Sequence, residues 1–568
     1  MSTAPIVSEI TVADYIANYI SKKKVPAVFE LSGGMIAFIT DAIYRLKATA
    51  IINTRHEQAA GFAAEGAART TGIPSVALAT SGPGATNLIT AIGSAYFDST
   101  PIIFITGQVN QAELRINKEQ RQNGFQELDI VQVVKSITKY AVQVSSAAEL
   151  ILELDRAWEL ALAGRPGPVL IDIPIDVQQM KIPAVSGNSQ DEIRPTQEIL
   201  SLADISRAVD LISASKFPLI LVGGGVRSNG AVEAFRKFAQ SAGIPVVFSL
   251  MGTDALASES EFRIGLIGSY GNRWANRALA KSDLLLVLGS RLDVRQTGSS
   301  VPEFVKNKRI IRVDIDDHEL SGRVQADINF KCTVKSFLAS DAIANLKFDS
   351  TTFLSLIEQW KAEYPAVKEQ EIPVDLNPNF LMGWLGDTFK NTNGYVVDVG
   401  QHQMWAAQSL ALGPRQRFLT SGGMGAMGFS IPASIGASAS LAGKWVVIVG
   451  DGCAQLAIAE LQTLKHYQLP VAICIVNNAQ LGMVAQFQEE NMDSRFIATR
   501  EGYSTPDFVE IGKAFGIPAM RINSISDLPV AEEFIGNWES GPILIEILLS
   551  SDAKALPKLS RNSTLGDL

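Results

Sequence analysis

Short apolar runs rich in β-branched residues alternate along the chain with longer stretches of helical periodicity. Clear examples of the short runs are residues 75–80, 102–106, 168–173, 219–222 and 284–288. Runs of this length that are apolar throughout are typical of strands buried on both faces. Because helical segments separate them, the pattern predicts an α/β fold of doubly wound parallel sheets covered by helices on both faces.

Composition shifts at two places along the 568 residues, and both shifts mark candidate linkers. One is the polar stretch from Pro183 to Pro195, and the other is the charged stretch from Glu363 to Pro378. A chain of this length exceeds a single hydrophobic core. We therefore expect three domains, at residues 1–182, 196–345 and 375–550, followed by a polar surface tail at 551–568.

The overall charge narrows the classes of partner. The formal net charge is -9 and the pI is about 5.3, with no basic block beyond Lys22-Lys23-Lys24, so neither nucleic acid nor an acidic membrane surface is expected as a partner. The three scattered cysteines give no disulfide framework. Without a basic-then-apolar leader or a long apolar span, the sequence predicts a cytoplasmic protein.

The strongest chemical signal is Gly450-Asp451-Gly452, which follows the apolar run 445–449, together with Asn477-Asn478 after the next apolar run. A carboxylate and an amide oxygen at adjacent strand ends suit a hard cation such as Mg²⁺. Glycines on both sides of Asp451 let a diphosphate approach the backbone. Alone, the three-residue motif would also be explained by an ordinary strand–turn–helix. With the Asn pair, it predicts a metal–diphosphate clamp.

Four further segments carry possible cofactor contacts. Glu57, in the segment 55–66, is expected where a strand turns into a small-residue helix; by itself it could be a helix-start acid stabilised by the helix dipole. Loop 80–87 has the glycines of an anion or cofactor loop, or of simple chain reversal. Segments 400–404 and 421–428 follow, and the glycine density of 421–428 suggests backbone packed on a ligand.

The chain has few histidines that could serve in catalysis or metal binding. The chain has four histidines, and only His56 and His402 fall in these segments. A His-ligated metal or a Ser-His-Asp relay is therefore not favoured, and we expect a cofactor to carry the chemistry.

Taken together, these motifs resemble the thiamine-diphosphate enzymes of the acetohydroxyacid synthase type. The similarity runs from about Val12 to Ile547 and includes the strings 124–127, 164–168, 397–408, 420–429 and 481–484. The resemblance implies that Asp451, Asn478 and the main-chain carbonyl of Gln480 bind Mg²⁺. It implies four catalytic residues, namely Glu57 on the cofactor's pyrimidine, Met427 beneath the cofactor, and Phe125 and Gln126 lining the substrate pocket.

The same resemblance implies two sets of cofactor contacts. Those to thiamine diphosphate are Gly33, Gly34, Pro83, Asn87, Gly400, Gln401, His402, Gly425, Met427, Gly450, Asp451, Gly452, Asn478, Gln480, Gly482 and Met483. The middle segment resembles a FAD-binding domain, although a cofactor-free α/β spacer is the simpler explanation of its glycines taken alone. Its implied contacts are Arg165, Gly223, Gly224, Gly225, Leu250, Met251, Gly268, Gly271, Gly289, Arg291, Asp314, Ile315, Asp327 and Ile328.

Three positions depart from the usual synthase pattern near the expected acceptor entrance. Phe487 replaces a Trp, Met35 replaces an Ala, and Val294 replaces the Asp before Arg295, so Met35, Arg295 and Phe487 are candidate substrate contacts. Such exchanges can switch an acceptor. The chain thereby resembles carboligases of branched-chain (yersiniose-type) sugar biosynthesis, which transfer the acetyl unit of pyruvate to a nucleotide-activated keto-deoxysugar.

Three other functions stay open from the sequence. They are an acetolactate synthase that joins pyruvate to pyruvate or 2-oxobutyrate, a flavin-dependent pyruvate oxidase, and a non-catalytic binding protein. The resemblance also implies a homodimer or homotetramer with active sites at the subunit interface, because Glu57 would serve the metal clamp of a neighbouring subunit.

Overall fold

The computed structural model describes residues 9–117, 119–183, 200–228, 230–370, 376–560 and 563–567. Within them the chain forms three six-stranded sheets whose neighbouring strands are all parallel. The three parallel-sheet α/β domains expected from the sequence are thus confirmed. Apart from Pro183, the first predicted linker lies outside the described residues, as do residues 371–375 of the second.

The N-terminal sheet has the strand order β3-β2-β4-β5-β7-β6, and β1 and β8 form a separate antiparallel pair. Its strands are β1 (Glu9–Thr11), β2 (Ala27–Leu31), β3 (Ala50–Asn53), β4 (Ser75–Ala79), β5 (Ile102–Gln108), β6 (Tyr140–Gln143), β7 (Val169–Pro174) and β8 (Lys181–Pro183). Its α-helices are Val12–Lys22, Ala37–Leu46, Glu57–Thr71, Pro83–Asn87, Ile89–Phe97, Ile130–Val134, Ala147–Leu162 and Ile175–Gln179.

The middle sheet has the order β11-β10-β9-β12-β13-β14, so the direction of winding reverses between β9 and β12. Its strands are β9 (Pro218–Val222), β10 (Val246–Phe248), β11 (Arg263–Leu266), β12 (Leu284–Leu288), β13 (Arg309–Asp314) and β14 (Ile328–Lys331). The helices are Leu202–Ala214, Gly225–Ser228, Val232–Ala242, Arg273–Lys281, Val294–Thr297, Val301–Val305, Asp317–Leu320, Val334–Leu338, Asp341–Ala344 and Thr351–Glu363. This is the strand order of dinucleotide-binding folds, in which the ligand lies at the reversal.

The C-terminal sheet repeats the arrangement of the N-terminal one, with the order β16-β15-β17-β18-β20-β19. Its strands are β15 (Gly394–Val397), β16 (Arg417–Thr420), β17 (Trp445–Gly450), β18 (Val471–Asn477), β19 (Ala519–Ile522) and β20 (Ile543–Leu548). Its helices are Pro378–Thr388, Gln401–Ser409, Ser430–Ser440, Asp451–Leu456, Glu460–His466, Gly482–Asn491, Phe508–Ala514 and Leu528–Gly536. The two outer domains are therefore topological equivalents.

Equivalent helices of the outer domains cross at backbone contact. A Cβ added to Gly66 would lie 2.0 Å from the Ala433 carbonyl oxygen, and one added to Gly436 would lie 1.7 Å from that of Ala63. Only glycine permits this approach. The small residues of helices 57–71 and 430–440 thus serve to join the outer domains through one shared hydrophobic core.

The C-terminal segment packs more closely than the predicted surface tail. Ala553, Ala555 and Leu565 are buried, and Trp405 Nε1 donates to the Lys554 carbonyl at 2.9 Å. The segment runs on to the middle domain, where the Leu559 N–H donates to the Ser269 carbonyl. Among the described residues, no helix combines the length and apolar character needed to cross a bilayer.

Candidate active site

Glu57 opens the helix that follows β3. Its N-cap is His56, whose Nδ1 accepts from the Gln58 N–H at 3.1 Å. The Glu57 carboxyl is buried, with 7% of the residue exposed, and Asn87 Nδ2 donates to its Oε2 at 2.9 Å. A Cβ on Gly84 would lie 3.2 Å from the other oxygen, Oε1. The structure thus joins the predicted acid to the loop 80–87.

The Gly33–Met35 segment packs on that same loop. A Cβ on Gly33 would lie 2.4 Å from the Thr80 Cβ, and the Met35 N–H donates to Thr80 Oγ1 at 3.4 Å. Around Gly34 the space is open, since an added Cβ would meet no atom within 4 Å. Pro83 starts the short helix that carries Asn87. These predicted residues therefore form one wall around Glu57.

Gln126 approaches the loop from the other side. It adopts a positive φ of 65°, and its Cβ would lie 3.0 Å from a Cβ added to Gly82. The neighbouring Glu127 carboxylate folds this turn by accepting the N–H groups of Arg115, Asn123 and Gly124. Phe125 is 79% exposed. Gln126 thus lies at the Glu57 loop, whereas Phe125 projects outward.

Asp451 lies directly after β17 and is buried. Tyr503 donates its hydroxyl to Oδ2 at 3.1 Å, and the backbone N–H groups of Gly452 and Gln480 also face the carboxylate. Burial raises the pKa of Asp451 to about 6. All of these donors are uncharged, so the buried negative charge is hydrogen-bonded but not neutralised.

The loop after β18 carries the second and third predicted metal ligands, Asn478 and Gln480, and the Gln480 N–H faces Asp451. Asn478 Nδ2 donates to Gln401 Oε1 at 2.9 Å. Ala479 has a positive φ of 53°, and its N–H donates to Asn477 Oδ1 at 3.0 Å, which closes a tight turn. The turn directs Gln480 back towards Asp451. Gly482 and Met483, which are the first two residues of helix 482–491, complete this edge.

His402 is neutral and lies beside Gly450, in the predicted clamp. Its Nε2 accepts from the Gly450 N–H at 3.2 Å, and burial lowers its pKa to about 4. A Cβ on Gly400 or Gly450 would lie 2.7 or 2.8 Å from His402 Cε1. These glycines therefore allow the ring to pack between the two strand ends, and His402 keeps no charge at neutral pH.

Asp398 and Asp98 hold the two ends of the glycine-rich loop 421–428. Asp398 is fully buried and accepts the N–H groups of Gly428 and Ser430 at 3.0 and 2.7 Å. At the other end Asp98 accepts the N–H groups of Gly422 and Gly423 at 2.9 and 2.7 Å.

Sequence reasoning missed both acids. Asp398 could have been found, because it ends an apolar strand just before Gly400. Asp98 lies more than 300 residues from its partners, and no local pattern marks it.

Within this loop, Gly425 has a positive φ of 68°, and Met427 lies near the clamp. A Cβ on Gly452 would be 3.5 Å from Met427 Cε. The loop thus places Met427 beside the Gly450–Gly452 motif.

A cavity of about 280 Å³ lies at the winding reversal of the middle domain. Nine of the predicted FAD contacts line it: Arg165, Gly224, Gly225, Leu250, Met251, Gly289, Arg291, Asp314 and Ile315. Gly422 and Arg295 also line it, so the cavity reaches the glycine-rich loop. The remaining predicted contacts, which are Gly223, Gly268, Gly271, Asp327 and Ile328, are not among its lining residues.

All four charged members of the FAD set have protein partners. Arg291 Nη2 lies 3.7 Å from Asp293 Oδ2, and Asp314 Oδ1 accepts the Asp316 N–H at 3.0 Å. Arg165 Nη1 lies 2.8 Å from Glu319 Oε1 in the cavity wall. Asp327, away from the cavity, pairs with Arg309 at 2.7 Å and accepts the Ile310 N–H. Arg165 is thus held facing the cavity, whereas Asp327 anchors the edge between β13 and β14.

The three candidate substrate contacts come from three different domains. Met35 lies on the N-terminal wall, Arg295 lines the middle cavity, and Phe487 lies on helix 482–491 of the C-terminal domain. Phe487 is 49% exposed.

Comparisons with known proteins agree with this architecture. Three family descriptions match in order: thiamine pyrophosphate enzyme N-terminal TPP binding domain at residues 10–133, central domain at 205–340, and C-terminal TPP binding domain at 398–547. Thiamine pyrophosphate and thiamine diphosphate are the same compound.

Among similar proteins, the acetolactate synthase large subunit of Corynebacterium glutamicum is 35% identical, over 100% of this chain and 91% of its own. That of Lactococcus lactis subsp. lactis is 35% identical, over 94% of this chain and 92% of its own. Acetolactate synthase 2, chloroplastic, of Nicotiana tabacum is 34% identical, over 98% of this chain and 84% of its own.

Proposed function

The chain belongs to the thiamine pyrophosphate enzymes that include the acetolactate synthases, and it is a carbon–carbon bond-forming enzyme of that family; from this premise we propose that it decarboxylates pyruvate and transfers the acetyl unit to the carbonyl of a second substrate. The observation that carries the proposal is the arrangement at the ends of β17 and β18. There a buried, unneutralised carboxylate, an amide and a glycine-lined backbone converge.

A divalent cation suits this arrangement. It would neutralise the buried charge of Asp451, which the surrounding neutral donors do not. Because Nδ2 of Asn478 donates to Gln401, the Oδ1 of Asn478 is left for a cation. We assign Asp451, Asn478 and the Gln480 carbonyl to Mg²⁺, which prefers such oxygen ligands. Helices 401–409 and 482–491 begin at the same edge, and their N-termini favour the diphosphate.

We assign to Glu57 the exchange of a proton with the cofactor. When bound, thiamine diphosphate supplies the electron sink on which a 2-oxo acid loses CO₂. Asn87 occupies Oε2 of Glu57, so Oε1, beside Gly84, is the atom that can share a proton with the cofactor's pyrimidine. Met427 supports the cofactor from the opposite wall, and neutral His402 excludes water without adding charge.

FAD is proposed as the ligand of the middle cavity. The reversal of strand order between β9 and β12 is where dinucleotides bind in folds of this kind. Gly224 and Gly225 follow β9 there, and Arg165 and Arg291, each paired with an acid of the protein, line the cavity as the proposed diphosphate contacts. Carboligation involves no net oxidation, so we propose a structural role for the flavin.

The acceptor is proposed to be a nucleotide-activated keto-deoxysugar. Phe487, where the family pattern has Trp, leaves more room at a half-exposed position, and Met35 and Val294 are further departures. Acetolactate synthesis is the second candidate, and the names of the similar proteins favour it.

Two copies of the chain are proposed to complete each site. Apolar side chains beside both half-sites are exposed, including Phe125 near Glu57 and Leu456, Val484 and Phe487 near the metal clamp. A second copy would cover them and bring the Glu57 of one subunit to the clamp of the other. A homodimer is the minimum, and a homotetramer satisfies the same requirement.

The test is CO₂ release from pyruvate by the protein with thiamine diphosphate, Mg²⁺ and FAD, with and without a nucleotide-linked 4-keto-deoxysugar. Slow release that the sugar accelerates supports the sugar acceptor. Fast release with accumulating acetolactate supports the second candidate. Flavin reduction by pyruvate would instead indicate a pyruvate oxidase, and absence of thiamine diphosphate binding would overturn the proposal.

A further inference from the structure

The segment 496–501 braces the loop that carries Asn478 and Gln480. The Leu481 N–H donates to the Thr499 carbonyl at 3.1 Å, which ties the loop to this segment. Next to it, Arg500 Nε donates to Gln480 Oε1 at 2.6 Å, and Arg500 Nη2 donates to the Ser551 carbonyl at 2.8 Å. One guanidinium thus connects the loop to the start of the C-terminal segment.

Arg500 is itself held in one orientation. Its guanidinium carbon lies 4.2 Å from the centre of the Phe496 ring, a stacking distance. The planar fork therefore donates in two fixed directions, which a lysine could not reproduce. Gln480 is buried, so its side-chain oxygen depends on this donor within the protein.

From these contacts we propose that Arg500 is a positioning residue that sets the cation affinity of the Asp451 site by orienting Gln480. Ala479 takes a positive φ, which sets the main-chain direction into Gln480. The Gln480 side chain is held at both ends, since its Oε1 accepts from Arg500 and its Nε2 donates to the Ser551 carbonyl at 2.5 Å. Arg500 donates to the same Ser551 carbonyl and so links both groups that hold Gln480. Groups behind metal ligands commonly set affinity by holding the ligand's orientation. The proposal rests on the Mg²⁺ site of the proposed function.

An open cleft allows a direct test. Arg500 lines a cavity of about 790 Å³ between the segment 363–370, the C-terminal segment and helix 482–491. A small cation can therefore reach the position that a truncated Arg500 would vacate. Free guanidinium should occupy it and restore the bond to Gln480.

The experiment measures Mn²⁺ binding by the paramagnetic resonance of free Mn²⁺, with the full chain stripped of metal and supplied with thiamine diphosphate. We expect Arg500→Ala to weaken binding about 10- to 100-fold. A low, non-denaturing concentration of guanidinium chloride should restore most of the affinity, whereas the same concentration of KCl should not. Arg500→Lys should bind Mn²⁺ more weakly than wild type, because it lacks the fork.

Arg495→Ala is the matched control, since Arg495 lies directly before this segment in an exposed pair with Asp493. This variant should bind Mn²⁺ as wild type does. If Arg500 acts through Gln480, Arg500→Ala should add little to Gln480→Ala in the double variant. Wild-type affinity in Arg500→Ala, or additive losses that guanidinium does not restore, would overturn the inference. A wild-type protein that binds no Mn²⁺ would instead refute the proposed metal site.

Discussion

The N-terminal and C-terminal sheets each bury an acid at the same place and surround it differently. Asp172 is the fourth residue of β7, and Glu546 is the fourth residue of β20, the equivalent strand. In both sheets the last residue of the neighbouring strand is an amide that donates to this acid. Gln108 Nε2 lies 3.0 Å from Asp172 Oδ2, and Asn477 Nδ2 lies 2.8 Å from Glu546 Oε1.

Each amide also shapes the loop that carries proposed site residues in its own domain. Gln108 donates to the Leu128 carbonyl at 2.8 Å and so holds the turn of Gln126. Asn477 accepts from the Ala479 N–H and so starts the loop of the proposed metal ligands. The acid and the amide belong to the sheet architecture that both domains have in common, whereas the loops differ. One sheet architecture can thus support two different proposed tasks, because the two domains differ in the loops at their strand ends.

The partners of the two acids differ in charge. Asp172 receives hydrogen bonds from the neutral side chains of Thr106, Gln108 and Gln143, and burial raises its pKa to about 6. Glu546 instead pairs with Arg521 at 2.8 Å. The stability of the N-terminal domain should therefore depend on pH through Asp172.

The largest expected effect separates proton transfer from cofactor binding. Glu57→Gln keeps the shape and the Asn87 contact but removes the acid, so CO₂ release should fall about 10²- to 10⁴-fold. Mn²⁺ binding in the presence of thiamine diphosphate should stay at the wild-type level. Glu233→Gln, at an exposed surface pair, is the control and should leave both unchanged. Near-normal turnover by Glu57→Gln would contradict the assignment of the N-terminal acid.

In the C-terminal domain we expect a substitution to impair metal binding rather than proton transfer. Asp451→Asn removes the only charged ligand proposed for the cation, so Mn²⁺ affinity should fall by roughly 100-fold or more, beyond the usual loss from a supporting residue. Titration of the metal-stripped protein checks this. Activity should recover in part at high Mg²⁺, which Glu57→Gln should not show. Wild-type Mn²⁺ affinity in Asp451→Asn would mean that the clamp lies elsewhere.

How much of this the sequence could predict depends on the distance between the groups involved. Asp451, Asn478 and Glu57 could be predicted as site residues because each stands at or shortly after the end of an apolar run, where a strand must stop. The three parallel sheets followed from the same alternation. The shared position of Asp172 and Glu546 was not found, since it requires the strand order, and Asp98 was missed because its partners are remote in the chain.

The stability of the folded protein should depend on pH because of Asp172 in the N-terminal sheet. The pKa of Asp172 is about 6 in the folded state, above its ordinary value of 3.8, so the folded state retains a proton that the unfolded state has lost between those pH values. Wild-type stability should therefore fall as pH rises from 4 to 6. A nearby acid, Asp129, adds to the effect.

Asp172→Asn should remove this slope. A pKa difference of about two units corresponds to about 3 kcal/mol, so the stability of the variant relative to wild type should rise by about that amount from pH 4 to pH 7. Thermal unfolding of both proteins across this range measures it. A constant difference in unfolding temperature at all pH values would show that Asp172 keeps an ordinary pKa.

The smallest expected effect concerns the choice of acceptor. Phe487→Trp adds bulk at a half-exposed position of the C-terminal domain, and a change of this size in a pocket is worth about 1–3 kcal/mol between competing substrates. The ratio of sugar to 2-oxo acid products should therefore shift towards the oxo acid, with CO₂ release retained. Phe380→Trp, at a similarly exposed Phe of the same domain (42%), is the control. An unchanged product ratio in a competition assay would place Phe487 away from the acceptor, and the exposed apolar surface around it would then serve subunit contact alone.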